Sequence, residues 1–313
     1  MNKSFMIWNC QGAGSAKFQR TLGSLLQGYK PNVVALVEPR ISGKKADLAI
    51  KKTGYPNSHR IEAEGFSGGI WLLWRDCVTV DVLQNHHQFI HTRVSSEPGT
   101  PPILFTAVYG SPRPIPRENL WRQLLQIAEG VHSPWILAGD FNATISMNER
   151  RGGSRHAQAG CKSFKQFISK SGLIDLGYVG PKFTWQRGNL MVRLDRALSN
   201  GLWIQAQPNT QVLHLPKIHS DHRPVLIKQV NMGQQTKRPF RYLASWASHE
   251  GFHSLVSNTW RNEQSLAKNI ESFTKVAHAW NIEVYGSIGK RKADLRRRIT
   301  GVQKALERQP FSW

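Results

Sequence analysis

With 313 residues, 40% of them hydrophobic, the chain can bury one large core or two smaller ones. Its 42 Lys and Arg against 20 Asp and Glu give a formal charge of +22, which implies attraction to a polyanion, either nucleic acid or an anionic membrane surface. No apolar run approaches the roughly 18 to 20 residues that span a bilayer, no signal-peptide core follows Met1, and Cys10, Cys77 and Cys161 form neither a zinc spacing nor a disulfide framework, so a soluble chain in a reducing, intracellular compartment is expected.

In chain order, Phe5–Asn9, Val33–Glu38, Gly69–Trp74, Val78–Leu83, Phe89–Val94, Ile103–Tyr109 and Trp135–Asn142 read as short buried or half-buried strands. Phe183–Gln186, Val192–Leu198, Val212–Leu215 and Pro224–Val230 follow. Between them, Phe18–Leu26, Leu120–Ala128 and Phe164–Ile168 carry apolar residues at helical spacing. So many strands exceed what one sheet usually holds. The expected fold is therefore α/β: a four-layer sandwich of two packed mixed β-sheets flanked by helices, with loops at one rim available for a site.

After Val230 the pattern changes. Residues 231–240, with the polar stretch Gly233–Pro239, read as a linker. Residues 241–313 read as a basic helical extension: Leu266, Ile270, Phe273, Val276, Trp280 and Val284 recur at three and four residues, as do Leu295, Ile299, Val302 and Leu306. Two helices joined near Tyr285-Gly286-Ser287 follow from this. Residues 1–230 hold 28 basic and 14 acidic side chains, and residues 231–313 hold 14 and 6, so both parts are basic. The runs Lys290-Arg291-Lys292 and Arg296-Arg297-Arg298 suit phosphate contact, nuclear import or a solvated helix face.

The chemistry starts from polar residues that close apolar runs. Trp135–Gly139 is a strand pattern that ends in Asp140 and Asn142. On an extended strand those two positions point to the same side, although Asp and Asn also stop strands by turning. A buried carboxylate costs several kcal/mol unless it is paired or binds a cation. Glu38 ends the run Val33–Val37, and hard oxygen ligands of this kind suit Mg²⁺. Asn9 ends Phe5–Trp8 and is placed to orient Glu38 or contact phosphate. Asp195 lies among Arg193 and Arg196, which are available to pair with it. His222 follows Ser220-Asp221, and either Asp195 or Asp221 could supply the carboxylate that fixes its tautomer.

The ordered set Trp8-Asn9-Cys10-Gln11-Gly12, Glu38, Val108-Tyr109-Gly110, Gly139-Asp140-Phe141-Asn142, Thr184-Trp185, Arg193-Leu194-Asp195-Arg196 and Ser220-Asp221-His222 resembles the endonuclease/exonuclease/phosphatase superfamily over residues 4–230. Within it, the chain looks most like the apurinic/apyrimidinic-type endonuclease domain of plant non-LTR (LINE-type) retrotransposons. Arg238-Pro239-Phe240-Arg241, Trp280-Asn281 and the basic stretch after Gly289 are similar to the segment that joins endonuclease to reverse transcriptase in those elements. No Tyr-x-Asp-Asp polymerase motif is present.

The resemblance implies Mg²⁺-dependent hydrolysis of a DNA phosphodiester, with Mn²⁺ as the alternative ion, to leave a nick with a 3′-hydroxyl. It implies DNA as partner, a nuclear or otherwise cytoplasmic location, no membrane and no small-molecule cofactor beyond the metal. Glu38 would bind the metal, with Asn9 and Asp221 completing its surroundings. Tyr109 would approach the phosphate, Asp140 would activate water, and Asn142 would hydrogen-bond a phosphate oxygen. Asp195 would orient His222, which would stabilise the transition state. Thr184, Trp185 and Arg187 would shape a DNA-facing rim. Gln11 stands where many relatives carry an acid, a difference shared with retrotransposon-type members. The alternative readings are a small-molecule or lipid phosphoesterase and a non-catalytic nucleic-acid-binding remnant.

Overall fold

The computed structural model describes residues 3–64, 68–96, 99–152, 160–230, 246–247 and 249–285. The chain divides into two compact units between Gln234 and Gln235. The expected linker 231–240, the motif Arg238–Arg241, the helix through Leu295–Leu306 and both basic runs lie outside the described residues.

The first unit begins with β1 (Phe5–Asn9), α1 (Ala16–Tyr29), β2 (Val33–Val37), α2 (Gly43–Lys51), β3 (Asn57–Ile61) and β4 (Ile70–Trp74). It continues with β5 (Thr79–His86), β6 (Phe89–Ser95), β7 (Ile103–Tyr109), α3 (Pro114–Glu129) and β8 (Trp135–Asp140). After a 3₁₀ turn at Met147–Glu149 come β9 (Arg150–Arg151), α4 (Lys162–Lys170), β10 (Ile174–Asp175), β11 (Trp185–Arg187), β12 (Leu190–Val192) and β13 (Asp195–Ser199). α5 (Gly201–Ala206), β14 (Thr210–His214) and β15 (Val225–Gln229) complete it.

Two six-stranded sheets result, in the orders β14-β15-β1-β2-β4-β3 and β10-β13-β8-β7-β6-β5. Each contains one parallel pair, β1 with β2 and β7 with β8, and each pair is joined by a helix, α1 or α3. Side-chain alternation assigns the layers. Phe5, Ile7, Val33, Ala35 and Val37 pack between the sheets against Phe105, Ala107, Ile136 and Ala138. Met6, Trp8, Val34 and Leu36 face outward onto Phe18 and Leu22 of α1 and Ala46 and Ile50 of α2. On the other side, Val108, Trp135 and Leu137 meet Leu120, Trp121 and Leu124 of α3 and Phe164 and Phe167 of α4. This is the expected four-layer sandwich.

Two strand ends differ from the sequence reading. β2 stops at Val37, and Glu38 turns into a left-handed conformation at φ 54°. β8 stops at Asp140, with Asn142 at φ 47°. The expected strand Val192–Leu198 is also split: β12 pairs with β11 and β9 in a small three-stranded sheet, whereas β13 pairs with β8 and β10 in the large one.

In the second unit, α6 (Glu250–Thr259) and α7 (Leu266–Tyr285) enclose Trp246, Phe252 and Ala277. α7 is the helix expected from the Leu266–Val284 spacing. Among the described residues no helix is long and apolar enough to cross a membrane.

Candidate active site

The carboxyl ends of the two parallel pairs converge, the usual place for a site in an α/β sheet. Asp140 closes β8 and is fully buried. Its Oδ2 accepts from Asn9 Nδ2 at 3.0 Å, and its Oδ1 accepts from the Asn142 backbone N–H at 2.9 Å. The second bond is an Asx turn, so the extended-strand placement of Asp140 and Asn142 is corrected: Asn142 comes back to Asp140 through a turn. Its amide donates to Gly110 O at 2.8 Å and to Asp140 Oδ2 at 3.1 Å. Both amide hydrogens are thus committed within the chain, and Asn142 positions Asp140. Glycine is required at position 139 before this turn, since at φ 153° an added Cβ would lie 1.9 Å from Val108 O.

β13 pairs with β8 so that Asp195 sits opposite Asp140. Of the two candidate carboxylates for the histidine, Asp195 supplies the contact: its Oδ2 is 2.9 Å from His222 Nδ1. His222 Nε2 then lies 3.7 Å from Asp140 Oδ2. Ser220 Oγ donates to Asn9 O at 2.8 Å and accepts from His222 N at 3.1 Å, tying the loop to β1. Thr184 is fully buried, and its Oγ1 accepts from Leu194 N at 3.0 Å and Asp195 N at 2.9 Å. Thr184, expected at a DNA-facing rim, is thus buried with its hydroxyl fixing the backbone beneath Asp195.

The electrostatics follow from burial. Desolvation, with the nearby Asp195 charge adding to it, raises the Asp140 carboxyl to about 7 against the opposing effects of His222 and the Asn9 and Asn142 donors. Burial alone would lower the His222 imidazole, but Asp195 and Asp140 outweigh it and lift the group to about 9. The charged imidazole is thus favoured by the two acids it faces.

Glu38 forms the other half of the site. The Tyr109 hydroxyl donates to its Oε1, while Arg40 Nε at 3.1 Å and Nη2 at 2.5 Å hold its Oε2. Burial and the Glu38 charge push the Tyr109 phenol up, which keeps it a donor. Asn9 was expected to orient Glu38 or contact phosphate; its side chain bonds Asp140, because β1 lies over β8 at this end. Arg40 was not singled out from sequence, and the signal available was its cationic side chain two residues after Glu38 across a proline.

Asp221 Oδ2 accepts from Trp185 Nε1 at 2.8 Å, and the half-buried Trp185 ring is 6.5 Å from that of His222. Arg187 is exposed at the end of the β11–β12 hairpin, outside this cluster. Arg193 and Arg196 do not pair with Asp195; they pair with Glu149 and Asp175.

Asp140, Asp195 and His222 each offer a ligand atom within 4.8 Å of the others. Asp195 and His222 are spent on each other, however, and a hard divalent ion prefers oxygen donors. Asp221 Oδ1 is shielded from solvent with no hydrogen-bond partner. Glu38 and Asp221 carry the acidic oxygens that suit such a cation, and in this structure the Glu38 oxygens are held by Tyr109 and Arg40.

The sequence matches the Endonuclease/Exonuclease/phosphatase family over residues 6–222. No curated protein sequence matches the chain. The fold resembles an AP endonuclease, LMAP, from Leishmania major (TM-score 0.61, 14% identity, covering 74% of this chain and 88% of that one). It also resembles the 3′-5′ exonuclease NExo from Neisseria meningitidis (TM-score 0.55, 18% identity, 72% and 99% covered). A third likeness is to the endonuclease domain of TRAS1, a telomere-specific non-LTR retrotransposon (TM-score 0.51, 14% identity, 73% and 98% covered). At these identities the likeness carries the fold, and the family match, which extends from β1 to His222 across every element of the site, carries the rest: the chain belongs to the endonuclease/exonuclease/phosphatase family.

Proposed function

We propose that the chain is a Mg²⁺-dependent DNA endonuclease, with Mn²⁺ as an alternative ion, that leaves a nick with a 3′-hydroxyl. The observation that carries this reading is the buried Asp140, held by two amides and facing a His222 that Asp195 keeps protonated. A raised carboxyl near 7 suits proton transfer at neutral pH, so Asp140 takes the proton from the attacking water. His222, presenting Nε2 with Nδ1 anchored on Asp195, donates toward a non-bridging oxygen as negative charge develops there. Tyr109 and Arg40, both on Glu38, add a phenolic donor and a cation at the same edge. Asn9 and Asn142 hold Asp140 in place. A divalent cation on Glu38 and Asp221 would neutralise charge on the scissile phosphate and the leaving oxygen.

DNA is favoured as substrate by the charge of +22 and by fold neighbours named as an AP endonuclease and a retrotransposon endonuclease. We place the origin of the chain in a LINE-type retrotransposon and its site of action in the nucleus, otherwise in the cytoplasm. Nicking of supercoiled plasmid with Mg²⁺ tests the assignment, and Asp140→Ala should slow it by roughly 10² or more. Equal nicking by both proteins refutes it; extension of the nick by a polymerase checks the 3′-hydroxyl.

A further inference from the structure

A second polar cavity, of about 210 Å³, shares a wall with the candidate active site. Thr184 and Trp185 belong to both: they line this cavity, and the same residues touch Asp195 N and Asp221. The rest of the lining includes Lys182, Lys217 and Arg223 and contains no carboxylate.

None of these three cations has an ion-pair partner among the described residues. Lys182 Nζ stands 5.6 Å from the centre of the Phe183 ring. Lys217 Nζ donates to the neutral Gln186 amide at 3.2 Å. Arg223 Nε donates to Phe183 O at 3.1 Å, and its backbone N–H is fixed on Thr184 O at 2.8 Å. Three like charges around one small space repel one another unless an anion enters. Arg40, Arg60, Arg193 and Arg196, by contrast, are each paired with acids.

We propose that this cavity is a phosphate subsite that grips the backbone of the nucleic-acid strand beside the phosphodiester being cleaved. The inference rests on the endonuclease reading. A strand in the catalytic site carries a phosphate at every nucleotide, and the shared wall of Thr184 and Trp185 puts the next one within the field of the three cations. Arg223, anchored to backbone carbonyls, supplies fixed charge. Lys182 and Lys217, anchored only to a ring face and an amide, can turn to the phosphate.

The test measures duplex-DNA affinity of the full chain in EDTA, so that no cleavage takes place, across a series of NaCl concentrations. Each phosphate contact contributes a slope of about −0.9 in log K against log salt. The double variant Lys182→Ala/Lys217→Ala should show a slope less steep by about 0.9, whereas Lys51→Ala, at the end of α2 remote from the strand carboxyl ends, should keep the wild-type slope. An unchanged slope in the double variant, or an equal loss in Lys51→Ala, overturns the subsite. Inorganic phosphate added at constant ionic strength should compete with DNA more weakly for the double variant than for wild type; equal competition overturns it as well. Because binding is read without metal, a failure of the chain to nick plasmid would count against the endonuclease reading alone.

Discussion

His222 is the residue whose state decides what the site can do. Its folded value, near 9, lies above the ordinary histidine value of about 6.5. The stability it contributes is therefore fully present below about pH 6.5 and is lost as pH rises through about 9. In metal-free protein, the imidazole resonances of His222 should titrate with a midpoint near 9, and Asp195→Asn should lower that midpoint by removing the closest carboxylate. A wild-type midpoint near the ordinary histidine value, or an Asp195→Asn midpoint unchanged, would sink this account. Sequence made Asn9, Glu38, Tyr109 and Asp140 legible, because each ends an apolar run. It left the pairing open between Asp195 and Asp221, since a contact across 27 residues leaves no local periodicity. The backbone role of Thr184 was illegible for the same reason: a hydroxyl that satisfies two backbone N–H groups ten and eleven residues on reads like any strand threonine.

The element that brings Asp195 to Asp140 is β13, and its start is clamped by charge. Glu149 lies 3.0 Å from Arg193 and 2.8 Å from Arg196, while Asp175 on β10 lies 2.8 Å and 2.9 Å from the same two guanidinium groups. Asp195 stands between those arginines in sequence, so the cluster fixes the register that places its carboxylate. Burial alone would raise Glu149 and Asp175, but the two arginines outweigh it and hold both carboxyls below their usual range. Their contribution is present above the unfolded carboxylate values of about 4 and is lost as pH falls through the lower folded ones. Arg196 is fully buried, so Glu149→Gln leaves a buried cation with one acidic partner, Asp175, and should cost about 3–5 kcal/mol in urea unfolding. A loss below about 1 kcal/mol would mean that the cluster is not what holds β13. Alternation in the sequence located β1 and β7, whose core faces are uniformly apolar. It merged β12 with β13, because the break arises where one run changes partner from the small sheet to the large one.

At the scale of the whole molecule, one rim collects the chemistry because both parallel pairs end there, as the Asn9–Asp140 and Tyr109–Glu38 contacts require. The number of strand-like runs was enough to expect two sheets, while the order of strands was not legible, since pairing depends on which faces meet after collapse. β3, Asn57–Ile61, escaped notice because it is a polar edge strand with a half-exposed pattern. The first unit contains every residue of the candidate site, and its cores draw on none of the residues packed around Trp246 and Phe252. Cleavage and non-specific attraction should therefore separate. A fragment of residues 1–234 should melt cooperatively and nick a short duplex within about threefold of the full chain, since the transition-state contacts all remain. Its affinity for long duplex at low salt should fall, because residues 235–313 carry 14 of the 42 basic side chains and only 6 of the 20 acids. Filter binding at about 50 mM and about 200 mM salt, a roughly fourfold range over which counterion release weakens binding, distinguishes the outcomes. Equal long-duplex affinity for fragment and full chain would place the attraction entirely on the first unit, and a fragment that nicks far more slowly would show that the second unit contributes to the reaction.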